Sequence, residues 1–140
     1  MATNFTKSGA NNSPQYQMSG VPFIFNDDAP ALSSDPDDCL EVNFDYVTKN
    51  IFVENLHISN NLRFSFTASG SIQNGPKNYI VVSPGETVKY DFRCKSLFFM
   101  SSAGTVTPFT LVAGLTTIHA SNFPVLTGSI NGVSAFDGVG

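Results

Sequence analysis

The 140-residue chain has no tryptophan, two histidines and two cysteines, and only 13% of its residues are charged. Each shortage excludes something. Globular domains carry about a quarter charged residues. Half that share leaves a poorly solvated surface, much of which is expected to be covered by another body. Two His and two Cys, with no Cys-x-x-Cys and no His-x-x-x-His, fall short of a zinc site. A hydrolytic triad needs a nucleophile, a base and an orienting acid within hydrogen-bond reach. His57, in Leu56-His57-Ile58, reads as an outward residue of a strand, and His119 sits near the tail; neither adjoins a nucleophile motif. Gly70, Gly75 and Gly85 fit no phosphate-cradling pattern. The acidic run from Asp27 to Asp38 offers oxygen ligands but lacks the EF-hand spacing and its terminal Glu. No catalytic residue, metal ligand or cofactor is therefore expected.

Other absences bear on location. No apolar run is long enough to span a membrane. No charged segment followed by an apolar one opens the chain, and Ala2 is incompatible with N-myristoylation. The expectation is synthesis in the cytoplasm, where thiols stay reduced, with Cys39 and Cys94 as buried thiols. The sequons Asn4-Phe5-Thr6 and Asn11-Asn12-Ser13 are then expected to be chance matches. A net charge of −4 argues against nucleic acid, which is met by basic patches.

What the chain does have is phenylalanine, 13 residues of it, set among Val, Ile and Thr and punctuated by Gly and Pro. These residue types favour strands and the turns between them. The plainest stretch is Tyr79 to Met100. Tyr79-Ile80-Val81-Val82 reads as a strand, and Ser83-Pro84-Gly85-Glu86 as a type II turn, with Pro84 presetting φ and Gly85 supplying a positive φ. Val88, Tyr90, Phe92 and Cys94 then alternate with Lys89, Asp91, Arg93 and Lys95. Strand side chains alternate between faces, so this is a half-buried strand with Cys94 on its apolar side. Leu40–Asp45, Ile51–Ile58, Leu62–Ala68, Leu97–Ser101 and Thr105–Ala113 show comparable patterns, and Thr116–Asn122 has room for one helical turn. Seven or eight short strands at this spacing predict an all-β fold, a single antiparallel β-sandwich.

Three regions follow: an extended acidic arm over 1–38, a sandwich core over 39–115, and a Gly-rich tail over 116–140 that packs on the core or a neighbour. Residues 1–48 set Lys7 against seven acidic residues, a net of −6, whereas residues 49–140 carry a net of +2. The arm is a solvated linker or is drawn to the body of a neighbouring copy. Its polar first twenty residues do not order by themselves. Val21-Pro22-Phe23-Ile24-Phe25 interrupts that polarity, either as an extra strand of the same sandwich or as a contact with another chain. Val21, Pro22, Phe23, Ile24, Phe25, Phe123 and Phe136 are the expected interface residues.

Val47-Thr48-Lys49-Asn50-Ile51, Leu62-Arg63-Phe64-Ser65-Phe66, Ser83-Pro84-Gly85-Glu86-Thr87, Arg93 to Phe99 and Phe109 to Leu115 share a style and strand rhythm. Across roughly 40–130 the chain resembles small virion proteins of large DNA viruses and tailed phages, built as a single jelly roll or related β-sandwich. That resemblance implies a minor capsid, penton, fibre or decoration subunit with no catalytic residues. It implies other capsid or virion proteins and copies of the chain itself as partners, no nucleic acid, no membrane spanning, and residence in a virion after synthesis in the host cytoplasm. The acidic arm has no counterpart in the family. A receptor- or carbohydrate-binding module is the rival reading. An enzyme on a jelly-roll scaffold, such as a cupin, needs a cluster of metal-binding histidines that two isolated ones do not supply.

Overall fold

The fold is given by a computed structural model, which describes residues 21–75, 77–122, 126–130 and 133–139. In chain order the strands are β1 (Val21–Ala29), β2 (Leu40–Asn43), β3 (Tyr46–Asn55), β4 (Leu62–Ser65), β5 (Tyr79–Val82), β6 (Thr87–Tyr90), β7 (Ser96–Ser101), β8 (Thr107–His119), β9 (Leu126–Ile130) and β10 (Val133–Val139). Single 3-10 turns occupy Pro36–Asp38 and Ala120–Asn122.

Eight strands form two four-stranded sheets, ordered β1-β8-β3-β6 and β2-β7-β4-β5. One rule generates both. β1 pairs antiparallel with β8, β2 with β7, β3 with β6 and β4 with β5. The segment from β1 to β8 is thus one long hairpin, reversed between β4 and β5 and wrapped into two layers. The β8–β3 and β7–β4 ladders join the wraps. This is the jelly-roll form of the antiparallel β-sandwich.

Alternation along the strands puts the core between the layers. Leu62, Phe64, Val82, Leu97 and Phe99 from one sheet meet Ile51, Val53, Phe109, Leu111 and Ala113 from the other, all fully buried. Phe99 and Phe109 stack across the layers with centroids 4.3 Å apart and planes at 15°. The Ser83–Glu86 turn is as expected: Gly85 has φ 72° and Glu86 N–H donates to Ser83 O at 3.0 Å. Val88, Tyr90, Phe92 and Cys94 do turn to the core, although the ladder with β3 stops at Tyr90.

Several boundaries differ from the sequence reading. β3 begins at Tyr46 and runs through Asn50, where a bulge interrupts its ladder with β8. Asn50 Oδ1 accepts the Gly114 N–H at 3.1 Å there, so a side chain substitutes for a ladder carbonyl. β3 ends at Asn55, so the apolar-looking Leu56 and Ile58 lie on a loop, and Ile58 is 94% exposed. β8 continues through Leu115 to His119 because Leu115 and Ile118 are buried beyond the bulge. The helical turn there is confined to Ala120–Asn122.

Val21–Ala29 of the acidic arm is an edge strand of the sandwich, in register with β8 from Val21↔Leu115 to Ala29↔Thr107. Asp27 and Asp28 are poor strand formers, but a long partner strand overrides propensity. The chain beyond it is tied down as well: Ser101 N–H donates to Pro30 O and Leu32 N–H to Ala103 O, each at 2.8 Å. In the Gly-rich tail, β9 and β10 form an antiparallel hairpin that is a sheet of its own. Ile130 pairs with Val133 at one end of this ladder.

Candidate functional site

The two histidines are far apart. His119 pairs with Tyr46 at the start of β3, and His57 follows the strand's other end. At about 3.3 Å per residue the strand separates them by roughly 30 Å, so no site contains both. Each is engaged locally. His57 Nδ1 accepts Ser59 N–H at 2.9 Å and Asn60 N–H at 2.8 Å, which places its ring proton on Nε2. His119 Nδ1 lies 2.8 Å from Ser121 Oγ, and its ring meets Tyr46 edge-on at 5.5 Å. Carboxylates of the acidic run are engaged locally too: Asp35 Oδ1 accepts the Asp37 N–H at 3.0 Å, and Asp38 Oδ2 accepts the Ser33 hydroxyl. Among the described residues no three His, Cys, Asp or Glu side chains converge as a metal group.

Both thiols are free. Cys94 is fully buried, and burial pushes its pKa up to about 11 against an opposing hydrogen bond with Thr48. Cys39 is half-buried, its thiol also raised by burial, and it donates to Ala68 O at 3.1 Å. Neither sits in the electropositive setting that activates a thiolate.

Among the described residues two open areas and the long edge of β1 stand out on the surface. The first area is the outer face of the β1-β8-β3-β6 sheet. Ile24, Val112, Phe52 and Lys89 fall in one row across its four strands. Lys89 Nζ stands 5.4 Å from the Phe52 ring centroid, and Ile24 is 68% exposed. Beside that row Phe52, Val112, Thr110, Glu54 and Thr87 line a depression of about 320 Å³. The outer face of the other sheet is different. The β4–β5 connection folds over it, burying Ser71 and Met100, and Arg63 on that face donates to Ser71 O and Ser102 Oγ.

The second area is the loop end formed by 56–61, 83–86 and 102–106. Leu56 (47% exposed), Ile58 and Val106 (50%) are presented there. Leu56 N–H donates to Pro108 O, and Asn60 Nδ2 to Thr105 Oγ1, holding two of these loops together. Beneath them Asn55 is a fully buried clamp. Its Nδ2 donates to Asn60 O at 2.7 Å and Val82 O at 3.0 Å, and its Oδ1 accepts His57 N–H at 2.9 Å. Sequence reasoning passed over Asn55; an Asn closing a strand ahead of an apolar loop was the available signal.

The open edge is β1. Gly114 N–H and Pro108 O are both bonded towards the β3 side, to Asn50 Oδ1 and Leu56 N. Backbone groups alternate in direction along a strand. The even-numbered residues 108–114 therefore face β3, and their partners Pro22, Ile24, Asn26 and Asp28 turn their backbone groups to the free edge. Pro22 has no N–H to offer. The Asp28 N–H is taken at 2.7 Å by Asp27 Oδ1. Two donors remain, on Ile24 and Asn26, with the carbonyls of Pro22, Ile24, Asn26 and Asp28; no described residue pairs with this edge.

These positions sort the expected interface residues. Phe23 and Phe25 are packed on their own core, with Phe23 edge-on to Phe44 at 5.1 Å and Phe25 at 6.2 Å from Phe109. Val21, Pro22 and Ile24 are exposed. Phe123 lies outside the described residues, and the Phe136 backbone pairs with Gly128 in the β9–β10 hairpin. No protein-family model and no curated protein matches the chain.

Proposed function

We propose that this protein is a non-enzymatic virion structural subunit, a minor capsid, penton or decoration protein that assembles through its sandwich and terminal segments. The observation that carries the reading is the wrapped-hairpin strand order of the two sheets, an architecture that recurs in viral capsid domains. Folds host many functions, so the surface must support it too. A low-charge chain with an uncovered sheet face, an apolar loop end and a long edge strand blunted only at its ends is suited to contacts on several sides. Partners on this reading are other capsid or virion proteins and copies of the chain. Burial of apolar contacts at about 25 cal/mol per Å² supplies the affinity, less the entropy of ordering the segments involved.

The test is assembly. Purified full-length protein, alone and with the other proteins of the particle, is examined by negative-stain electron microscopy and by mass spectrometry of purified particles. Rings, shells or stoichiometric incorporation are expected. A chain absent from particles that forms no ordered assembly overturns the reading.

A receptor- or carbohydrate-binding fibre or tail module is favoured by one feature, the depression in which a partly exposed Phe52 ring lies beside Glu54, Thr87 and Thr110. An apolar ring beside hydroxyl and carboxylate groups suits a sugar's CH face and hydroxyls. Glycan-array binding that Phe52→Ala abolishes would select this reading.

A further inference from the structure

The four edge strands of the sandwich are β1, β6, β2 and β5. Three are four residues long; β1 has nine. Short edges, Pro and charge are the usual protections against edge pairing. In β1 these protections stand only at the ends, as Pro22 and as Asp27-Asp28. The free edge offers the N–H groups of Ile24 and Asn26 and the carbonyls of Pro22, Ile24, Asn26 and Asp28.

We propose that β1 pairs antiparallel with β1 of a second copy about a two-fold axis at Ile24, joining two sheets into one of eight strands. The inference takes from the reading above only that the chain associates with itself. In this register each Ile24 N–H donates to the other copy's Ile24 carbonyl, and each Asn26 N–H donates to the other copy's Pro22 carbonyl. Both available donors are used; the Asn26 carbonyl faces Pro22 of the other copy and receives no N–H, so the ladder ends at that pair. Charge selects the direction. Antiparallel pairing sets Asp27 opposite Val21, whereas parallel pairing would lay Asp27 and Asp28 beside their own copies, which is destabilising. Packing selects the register. Ile24 meets Ile24, so the outer row becomes Phe52–Val112–Ile24–Ile24–Val112–Phe52, an unbroken apolar band with Lys89 at each end. On the inner side Phe23 falls opposite Phe25. A two-fold axis makes the contact self-complementary and closed.

The experiment uses the full-length chain. Sedimentation equilibrium across a hundredfold range of concentration is expected to show a monomer–dimer equilibrium. Ile24→Pro removes the central edge N–H without touching a β1–β8 hydrogen bond, so it is expected to raise the dimer dissociation constant at least tenfold while the circular dichroism spectrum stays that of the parent. Ile24→Cys supplies an independent reading. Residues opposite each other in a hydrogen-bonded antiparallel pair have Cα atoms about 5.5 Å apart, within disulfide range. Mild oxidation is expected to give a reducible covalent dimer with Ile24→Cys and none with Val21→Cys, whether or not Ile24→Pro folds. A parent chain that is monomeric throughout, or a dimer that Ile24→Pro leaves unchanged and Ile24→Cys does not cross-link, overturns the proposal. Absence from particles would sink the virion reading and leave this dimer standing; a monomer would sink this contact alone.

Discussion

Phe109 and Phe52 lie on neighbouring strands of the same sheet and point to opposite faces. Replacing each by alanine deletes the same atoms in different surroundings. Phe109 is fully buried, stacked on Phe99 at 4.3 Å and tilted against Phe25 at 6.2 Å. Phe→Ala in a core costs about 3–5 kcal/mol, and the paired rings place Phe109 in the upper half of that range. Phe52 is only half-buried, with Lys89 over its ring, so its loss is expected to cost about 1 kcal/mol. Total stability for a domain is about 5–15 kcal/mol, so Phe109→Ala removes a large fraction of it. The melting temperature should fall by roughly 10–20 °C for Phe109→Ala and by a few degrees for Phe52→Ala. Urea unfolding followed by far-ultraviolet circular dichroism measures this in a chain without tryptophan. The comparison tests the strand register, because a slip of one residue exchanges the two faces. Equal losses, or a Phe109→Ala cost under about 2 kcal/mol, would refute the assigned core.

Asn55→Ala strands the His57 N–H and the carbonyls of Asn60 and Val82; a loss of about 2–3 kcal/mol by urea titration is expected, and one under about 1 kcal/mol would show that the clamp does not hold the loop end. Thr67 Oγ1 is buried with no hydrogen-bond partner among the described residues, so Thr67→Val is expected to raise stability by about 1 kcal/mol in a thermal melt, and a drop would reveal a partner for the hydroxyl. Cys94 has a folded pKa of about 11 against an ordinary 9.0. The folded state holds that proton more tightly, so this contribution is intact below pH 9, falls as pH rises from 9 to about 11, and amounts to about 3 kcal/mol. The urea midpoint of the parent should drop more steeply over that window than that of Cys94→Ala; parallel curves would refute the shift.

Strand identity was legible wherever one face is buried and the other wet. Val88 to Cys94 alternates because the core takes every second residue, and Ser83-Pro84-Gly85-Glu86 turns because Pro84 and Gly85 bias their own φ angles. The β1 edge was half legible. The apolar patch Val21–Phe25 stood out in a polar arm, but which of its side chains face out depends on its register with β8. Asn55 was marked only by closing a strand ahead of an apolar loop, since its Val82 partner is remote. Thr48 was not legible: its Oγ1 donates to Phe92 O at 2.7 Å on a distant segment, and nothing local marks such a residue.

The class of fold is therefore a property of the sequence itself, since side-chain periodicity and turn chemistry are local. Tertiary structure decided the rest. Only the pairing of β1 with β8 made Asp27 and Asp28 part of a strand. Only the β8–β3 hydrogen bonds at Gly114 and Pro108 showed which way β1 turns its backbone, and only the path of the β4–β5 connection showed which sheet face is covered and which is open. Those are long-range facts, fixed by which strand lies beside which.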